Sequence, residues 1–143
     1  MLTRKVKNNT ARKGEITETI VLAKLVELGY ECLLPFGHDS RYDIAIDDGG
    51  KLIRVQCKTA RYIEEIGCVH FPTVTTYARV GGKQHIRKGY KGQIEYFGVY
   101  CPDLGKVYLV PIEDAPEYEM TLRLQPTKNN QEKGVRWAKD YEV

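Results

Sequence analysis

Two short extended runs separated by Asp47-Asp48-Gly49-Gly50 constrain this chain more than any other feature. Tyr42-Asp43-Ile44-Ala45-Ile46 precedes the turn, and Leu52 to Lys58 follows it. The Asp/Gly cluster tolerates the positive φ angles of a tight hairpin, so the pattern predicts two antiparallel neighbouring strands. Side chains alternate along a strand. Gln56 and Lys58 therefore share one face, while Ile53, Val55 and Cys57 share the other and pack. Asp43, on the partner strand, comes close to Gln56 across the same hairpin.

From about Glu15 to Leu28, two sets recur at helical spacing: Ile16, Ile20, Ala23 and Val26, and Val21, Leu22, Leu25 and Leu28. Gly29 follows, where a C-terminal glycine belongs. Tyr30 to Pro35 reads as a short extended run, and Gly37-His38-Asp39-Ser40 as a polar turn. Val69 to Val74 reads as a strand. Tyr96 to Cys101 and Lys106 to Ile112 form a second hairpin across Pro102-Asp103-Leu104-Gly105. Asn129 to Tyr141 is expected to be a short terminal helix capped by Asn130, against the preference of Gly134. Tyr77 to Gln93, punctuated by Gly81, Gly82, Gly89 and Gly92, receives no regular structure. No repeat or low-complexity linker divides the 143 residues. The expectation is one domain, 1–143, of the α/β class.

No apolar run approaches the ~20 residues of a membrane span. Met1 to Gly14 is basic and polar, unlike a signal peptide. A cytoplasmic protein is expected, associated with the nucleoid when it acts on DNA. Cys32, Cys57, Cys68 and Cys101 lack the paired spacing of a zinc site and read as free, mostly buried thiols. The net charge of +3 is unevenly placed. Arg4, Lys5, Lys7, Arg12 and Lys13 precede the first acid. Arg79, Lys83, Arg87, Lys88 and Lys91 run with no acid between them. Lys128, Lys133, Arg136 and Lys139 form a third group. Clustered cations suit a polyanionic partner, although the same stretches also serve as solvated loops.

The predicted hairpin gathers a carboxylate, an amide oxygen and an ammonium on a small patch of sheet. Such a patch fits metal-assisted phosphodiester hydrolysis. Mg²⁺ takes oxygen ligands and keeps several waters. Asp43 would anchor it, Gln56 would add a neutral oxygen, and the Cys57 backbone carbonyl another. Lys58 would orient a bound water or stabilise developing phosphorane charge. A fourth group comes from the helix: Glu18, with Glu15 its competitor one turn earlier. The alternative use of these residues is an exposed strand face with Asp43 and Lys58 as surface ion partners. Gln84, His85 and Tyr90 lie among the second basic group and suit contacts to bases or phosphates. His38 reads as a solvated turn residue, and Arg41 as a phosphate contact or a surface ion pair. Trp137 reads as a core anchor of the terminal helix.

Asp43, then Gln56-Cys57-Lys58 after a hairpin, behind a helix with Lys13-Gly14 and Glu18, resembles the PD-(D/E)XK nuclease superfamily. The stretch from Lys13 to Arg61 is similar to archaeal-type Holliday-junction resolvases and to intron-encoded nucleases of this fold. "PFGHDSRYDIAIDDGGKLIRVQCKTAR", "YFGVYCPDLGKVYLVP" and "PTKNNQEKGVRWAKDYE" resemble the group I intron-associated PD-(D/E)XK endonucleases. That similarity covers nearly the whole chain. It implies a restriction-endonuclease-like core, with a mixed central β-sheet flanked by helices. It also implies a homing endonuclease that cuts double-stranded DNA as a homodimer or homotetramer, using Mg²⁺, with Mn²⁺ as a substitute. Glu18, Asp43, Gln56 and Lys58 match the active-site positions, with Asp43, Gln56, Glu18 and the Cys57 carbonyl on the metal. The expected DNA contacts are Lys13, Arg41, Arg79, Lys83, Gln84, His85, Arg87, Lys88, Lys91, Lys128 and Arg136. Two departures stand out. Tyr42 occupies the place where many members have proline, and Gln56 replaces the usual acid, which removes one negative metal ligand. A junction resolvase and a catalytically silent DNA-binding module on the same fold are the rival readings.

Overall fold

The computed structural model describes residues 1–78, 81–82 and 85–143. Helix α1 (Thr10–Glu27) leads into β1 (Glu31–Leu33), β2 (Ile44–Asp48), β3 (Lys51–Thr59), β4 (Arg61–Ile63) and β5 (Cys68–Pro72). β6 (Thr75–Ala78), β7 (His85–Lys88), β8 (Tyr96–Cys101), β9 (Lys106–Pro111) and β10 (Glu119–Arg123) follow.

The front hairpin forms as the sequence predicts. β2 and β3 pair antiparallel, with Ile44 opposite Val55 and Asp48 opposite Lys51. Gly49 and Gly50 both take positive φ (62° and 90°), as the two-residue turns favoured in hairpins require. Along β3, Val55 and Cys57 are buried while Gln56 and Lys58 are half-buried. α1 starts earlier than its apolar pattern because Asn9 caps it, accepting the Arg12 N–H at 3.0 Å.

Five strands make the central sheet in the order β1-β2-β3-β8-β9, with β3 and β8 parallel and the other neighbours antiparallel. α1 covers one face and buries Val21 and Leu25 against Ile44, Ile46, Val55 and Cys57. Gly98 permits that approach: a Cβ there would meet Val21 Cγ1 at 2.6 Å and Val55 Cγ1 at 3.0 Å. The other face is covered by a second sheet, β10-β5-β4, whose Phe71, Met120 and Leu122 pack with Phe97, Val99 and Tyr108.

Two expectations need correction. The tail holds turns and a single 3₁₀ turn, Ala138–Asp140, in place of an α-helix. Asn130 and Gly134 take φ of 55° and 76°, which a right-handed helix cannot use. Trp137 is half-buried beside that turn, and Ala138 enters the core. The glycine-punctuated segment left without regular structure contains β7 and the end of β6, which pair as a hairpin with Tyr77 opposite Ile86. Arg79, Lys83 and Gln84, expected to contact DNA, lie outside the described residues. The four cysteines are free. Among the described residues no helix is long and apolar enough to cross a membrane.

Candidate active site

β3 outruns β2. Their pairing ends at Ile44 and Val55, and the Asp43 N–H still donates to the Val55 carbonyl at 2.9 Å. One step on along the same edge, the Cys57 N–H has no strand partner. It donates to Asp43 Oδ2 at 2.8 Å. The amide and carbonyl of one strand residue point to the same edge. The Cys57 carbonyl therefore faces this opening too, where Gln56 Nε2 donates to it at 3.3 Å.

α1 delivers the second carboxyl. Thr17 is buried and its Oγ1 lies 2.6 Å from Thr59 Oγ1, which pins the helix to the end of β3. The next residue, Glu18, comes within hydrogen-bonding range of Asp43. Glu15 instead pairs with Arg12 in solvent at 3.0 Å. The geometry thus separates the two helix acids that spacing left open.

The carboxyls perturb one another. Burial, then the charge and hydrogen bond of Asp43, raise Glu18 from 4.5 to about 7. Burial also raises Asp43, against the opposing pull of the Cys57 N–H, Glu18 and Lys58. Two acids this close share a proton. Burial raises the Cys57 thiol as well, so it offers no thiolate. Two carboxylates, a backbone carbonyl and an amide form an all-oxygen donor set that suits a hard divalent cation. Among the described residues no three His, Cys, Asp or Glu side chains gather at one point.

Lys58 completes the group. Its Nζ donates to the Val74 carbonyl at 3.0 Å and to the Tyr90 hydroxyl at 3.2 Å. The Tyr90 hydroxyl is hydrogen-bonded to Thr75 Oγ1. Tyr90 is 4% exposed, which corrects its expected role as an outward contact to DNA. Arg41 lies over its ring at 4.0 Å and donates to Gln93 Oε1 at 2.8 Å and the Gly89 carbonyl at 2.7 Å. Its guanidinium is therefore engaged inside the fold. No spacing rule could have paired Tyr90 with Lys58 across 32 residues.

A cleft of about 250 Å³ opens on the carboxyls, lined by Glu18, Leu34, Gly37, His38, Tyr42 and Asp43. His38 is exposed, as a turn residue should be, but it borders this cleft. His85, Arg87, Lys88 and Lys91 are exposed on or just after the β6–β7 hairpin. Lys13 is exposed on α1, and Lys128 and Arg136 in the turns after β10.

A family described as PD-(D/E)XK endonuclease matches residues 8–143. Among solved structures, a bacterial homing endonuclease is similar, with a TM-score of 0.74 and 22% identity. The alignment covers 94% of this chain and 89% of that one. No curated protein matches the sequence.

Proposed function

The chain belongs to the PD-(D/E)XK endonuclease family, and we propose that it is a site-specific, divalent-metal-dependent DNA endonuclease of the homing type. The observation that carries this reading is the open edge of β3, where Asp43, Glu18, the Cys57 carbonyl and Gln56 gather and the charge of Lys58 is felt by Asp43. Asp43, Glu18, the Gln56 amide oxygen and the Cys57 carbonyl would hold Mg²⁺, with Mn²⁺ as a substitute. When bound, such an ion supplies Lewis-acid polarisation of the phosphate and an acidified water.

The protein's own groups do the rest. The Cys57 N–H fixes one Asp43 oxygen and leaves the other for a ligand. Gln56 would offer an oxygen without charge, so the centre would hold an ion more weakly than one with three acids. Lys58 presents a fixed positive charge to the phosphate and orients the attacking water. His85, Arg87, Lys88 and Lys91 would grip the DNA backbone from the hairpin, with Arg79, Lys83 and Gln84 continuing that stretch. Lys13, Lys128 and Arg136 would add contacts elsewhere. Among the described residues the chain has one such centre, and a duplex has two strands. Double-strand cutting therefore calls for a homodimer or homotetramer on a roughly palindromic site.

The test is cleavage of a pooled random-sequence duplex library and of a four-way junction, each with Mg²⁺ and with EDTA. Wild type and Lys58→Ala are compared. Metal-dependent cutting of a selected duplex, lost in the variant, is expected. Cutting confined to the junction would replace this reading with a resolvase. No cutting of either by a folded protein would leave a DNA-binding module.

A further inference from the structure

We infer that Tyr90 is the positioning residue for Lys58 and that it tethers this lysine to the base of the β6–β7 hairpin. The inference rests on the nuclease reading above. Lys58 carries three N–H donors. Two are spent on Val74 and Tyr90, at 3.0 and 3.2 Å. Both acceptors belong to the stalks of one hairpin: Val74 stands one residue before β6, and Tyr90 two residues after β7. The catalytic strand and the basic arm therefore meet at the ammonium group itself.

Tyr90 is built as a fixed post. Its ring is 4% exposed and meets Phe97 edge-on, at 5.6 Å between centroids. Arg41 closes over the ring at 4.0 Å and ties down the outgoing stalk through the Gly89 carbonyl at 2.7 Å. The hydroxyl accepts from Lys58 and is hydrogen-bonded to Thr75, the first residue of β6. A lysine has four rotatable bonds and a large rotamer entropy, so an untethered ammonium would spend little time at the phosphate. The tether keeps it there and places the third donor relative to whatever the hairpin holds. Basic residues that grip DNA and the lysine that acts on it would then move as one unit.

Tyr90→Phe isolates the claim, because it keeps the ring, the Phe97 contact and the Arg41 stack and deletes only the hydroxyl. Two readouts are taken on the full chain. The first is kcat and DNA affinity on the selected duplex with Mg²⁺, beside wild type and Lys58→Ala. The second is the rate at which acetic anhydride acylates Lys58 in metal-free protein, followed by mass spectrometry. Loss of one hydrogen bond to a charged group predicts kcat down about tenfold. DNA affinity should stay within about twofold. Lys58 acylation should rise about threefold or more as the ammonium is freed. Thr75→Val, one bond further out, should shift both in the same direction by less. A lower melting temperature with kcat and acylation unchanged would mark Tyr90 as packing alone and overturn the inference. A wild type that cuts no DNA would sink the nuclease reading instead. Acylation then decides the tether alone: a rise supports it, and no change overturns it.

Discussion

β3 is fastened by a carboxylate at two places. Near its start, where β8 has yet to begin, Glu95 Oε2 accepts the Arg54 N–H at 2.6 Å. Near its end, where β2 has stopped, Asp43 Oδ2 accepts the Cys57 N–H at 2.8 Å. The backbone task is the same, but the side-chain surroundings are opposite. Glu95 also holds the Arg54 guanidinium at 2.7 and 3.1 Å, and those bonds push its carboxyl down. Asp43 faces Glu18, while the Lys58 ammonium is turned to Val74 and Tyr90, and burial drives its carboxyl up. One end of the strand is neutralised within the fold. The other is left short of positive charge, at the edge of a cleft, which is what a site awaiting a cation and a phosphate requires.

The strongest way to break that comparison is to neutralise each acid in turn. Asp43→Asn should reduce cleavage by about a thousandfold or more, since it removes the anchoring charge of the proposed metal site. The same change should raise the melting temperature in EDTA, because Asn keeps an oxygen for Cys57 and ends the repulsion with Glu18. Glu95→Gln should do the reverse. It weakens a half-buried pair and costs about 1 kcal/mol of stability. Cleavage should stay within about threefold of wild type. Nicking assays and thermal melts on the two variants decide the matter. An Asp43→Asn protein that melts lower than wild type in EDTA would end the distinction drawn here.

A second asymmetry sharpens the comparison: Glu95 sits directly before β8, whereas Glu18 is carried in on a helix. Its place depends on how closely α1 settles on the sheet. Gly98→Ala puts a Cβ 2.6 Å from Val21 Cγ1 and 3.0 Å from Val55 Cγ1. Overpacking of that kind costs about 1–3 kcal/mol and lifts the helix. The Mg²⁺ concentration for half-maximal cleavage should rise by about threefold or more, because the carboxylate proposed as a ligand is displaced. A Mg²⁺ titration that matches wild type on a destabilised protein would show that Glu18 reaches Asp43 independently of this packing.

These dependencies explain what the sequence could and could not display. The hairpin, its turn and the shared face of Gln56 and Lys58 follow from period-two alternation around Asp-Asp-Gly-Gly, a local rule. The choice between Glu15 and Glu18 depends on the phase of α1 against the sheet. Thr17, Val21 and Leu25 set that phase together with a glycine on β8, far away in sequence. Tyr90 lies among lysines and glycines and so reads as surface. Phe97 and Arg41, from distant elements, make it interior. Arg41 was legible as a cation but not as a strut, since its acceptors arrive 34 to 52 residues later. The tail misled because Asn130 reads as a helix cap, whereas Asn130 and Gly134 both take left-handed φ, which a right-handed helix cannot use.

The smallest predicted effect concerns pH, and there the two acids should pull stability in opposite directions. Glu18 is raised from 4.5 to about 7, so between those values the folded protein binds more protons than the unfolded chain. Metal-free stability should therefore fall as pH rises through that window and level off above it. Glu95 is lowered, so its contribution is complete above the ordinary glutamate value and is lost as pH falls through its own. Together they place the stability maximum of the metal-free protein on the mildly acidic side. Glu18 is only partly desolvated and still reaches solvent, so screening keeps its share modest. Urea midpoints in EDTA at pH values from about 5 to about 8 should show the decline, and Glu18→Gln should flatten it. Added Mg²⁺ should reverse the slope, because it binds the charged carboxylates that high pH supplies. A Glu18→Gln protein that keeps the wild-type decline would assign the shared proton to another group, and the contrast between the two ends of β3 would then rest on Asp43 alone.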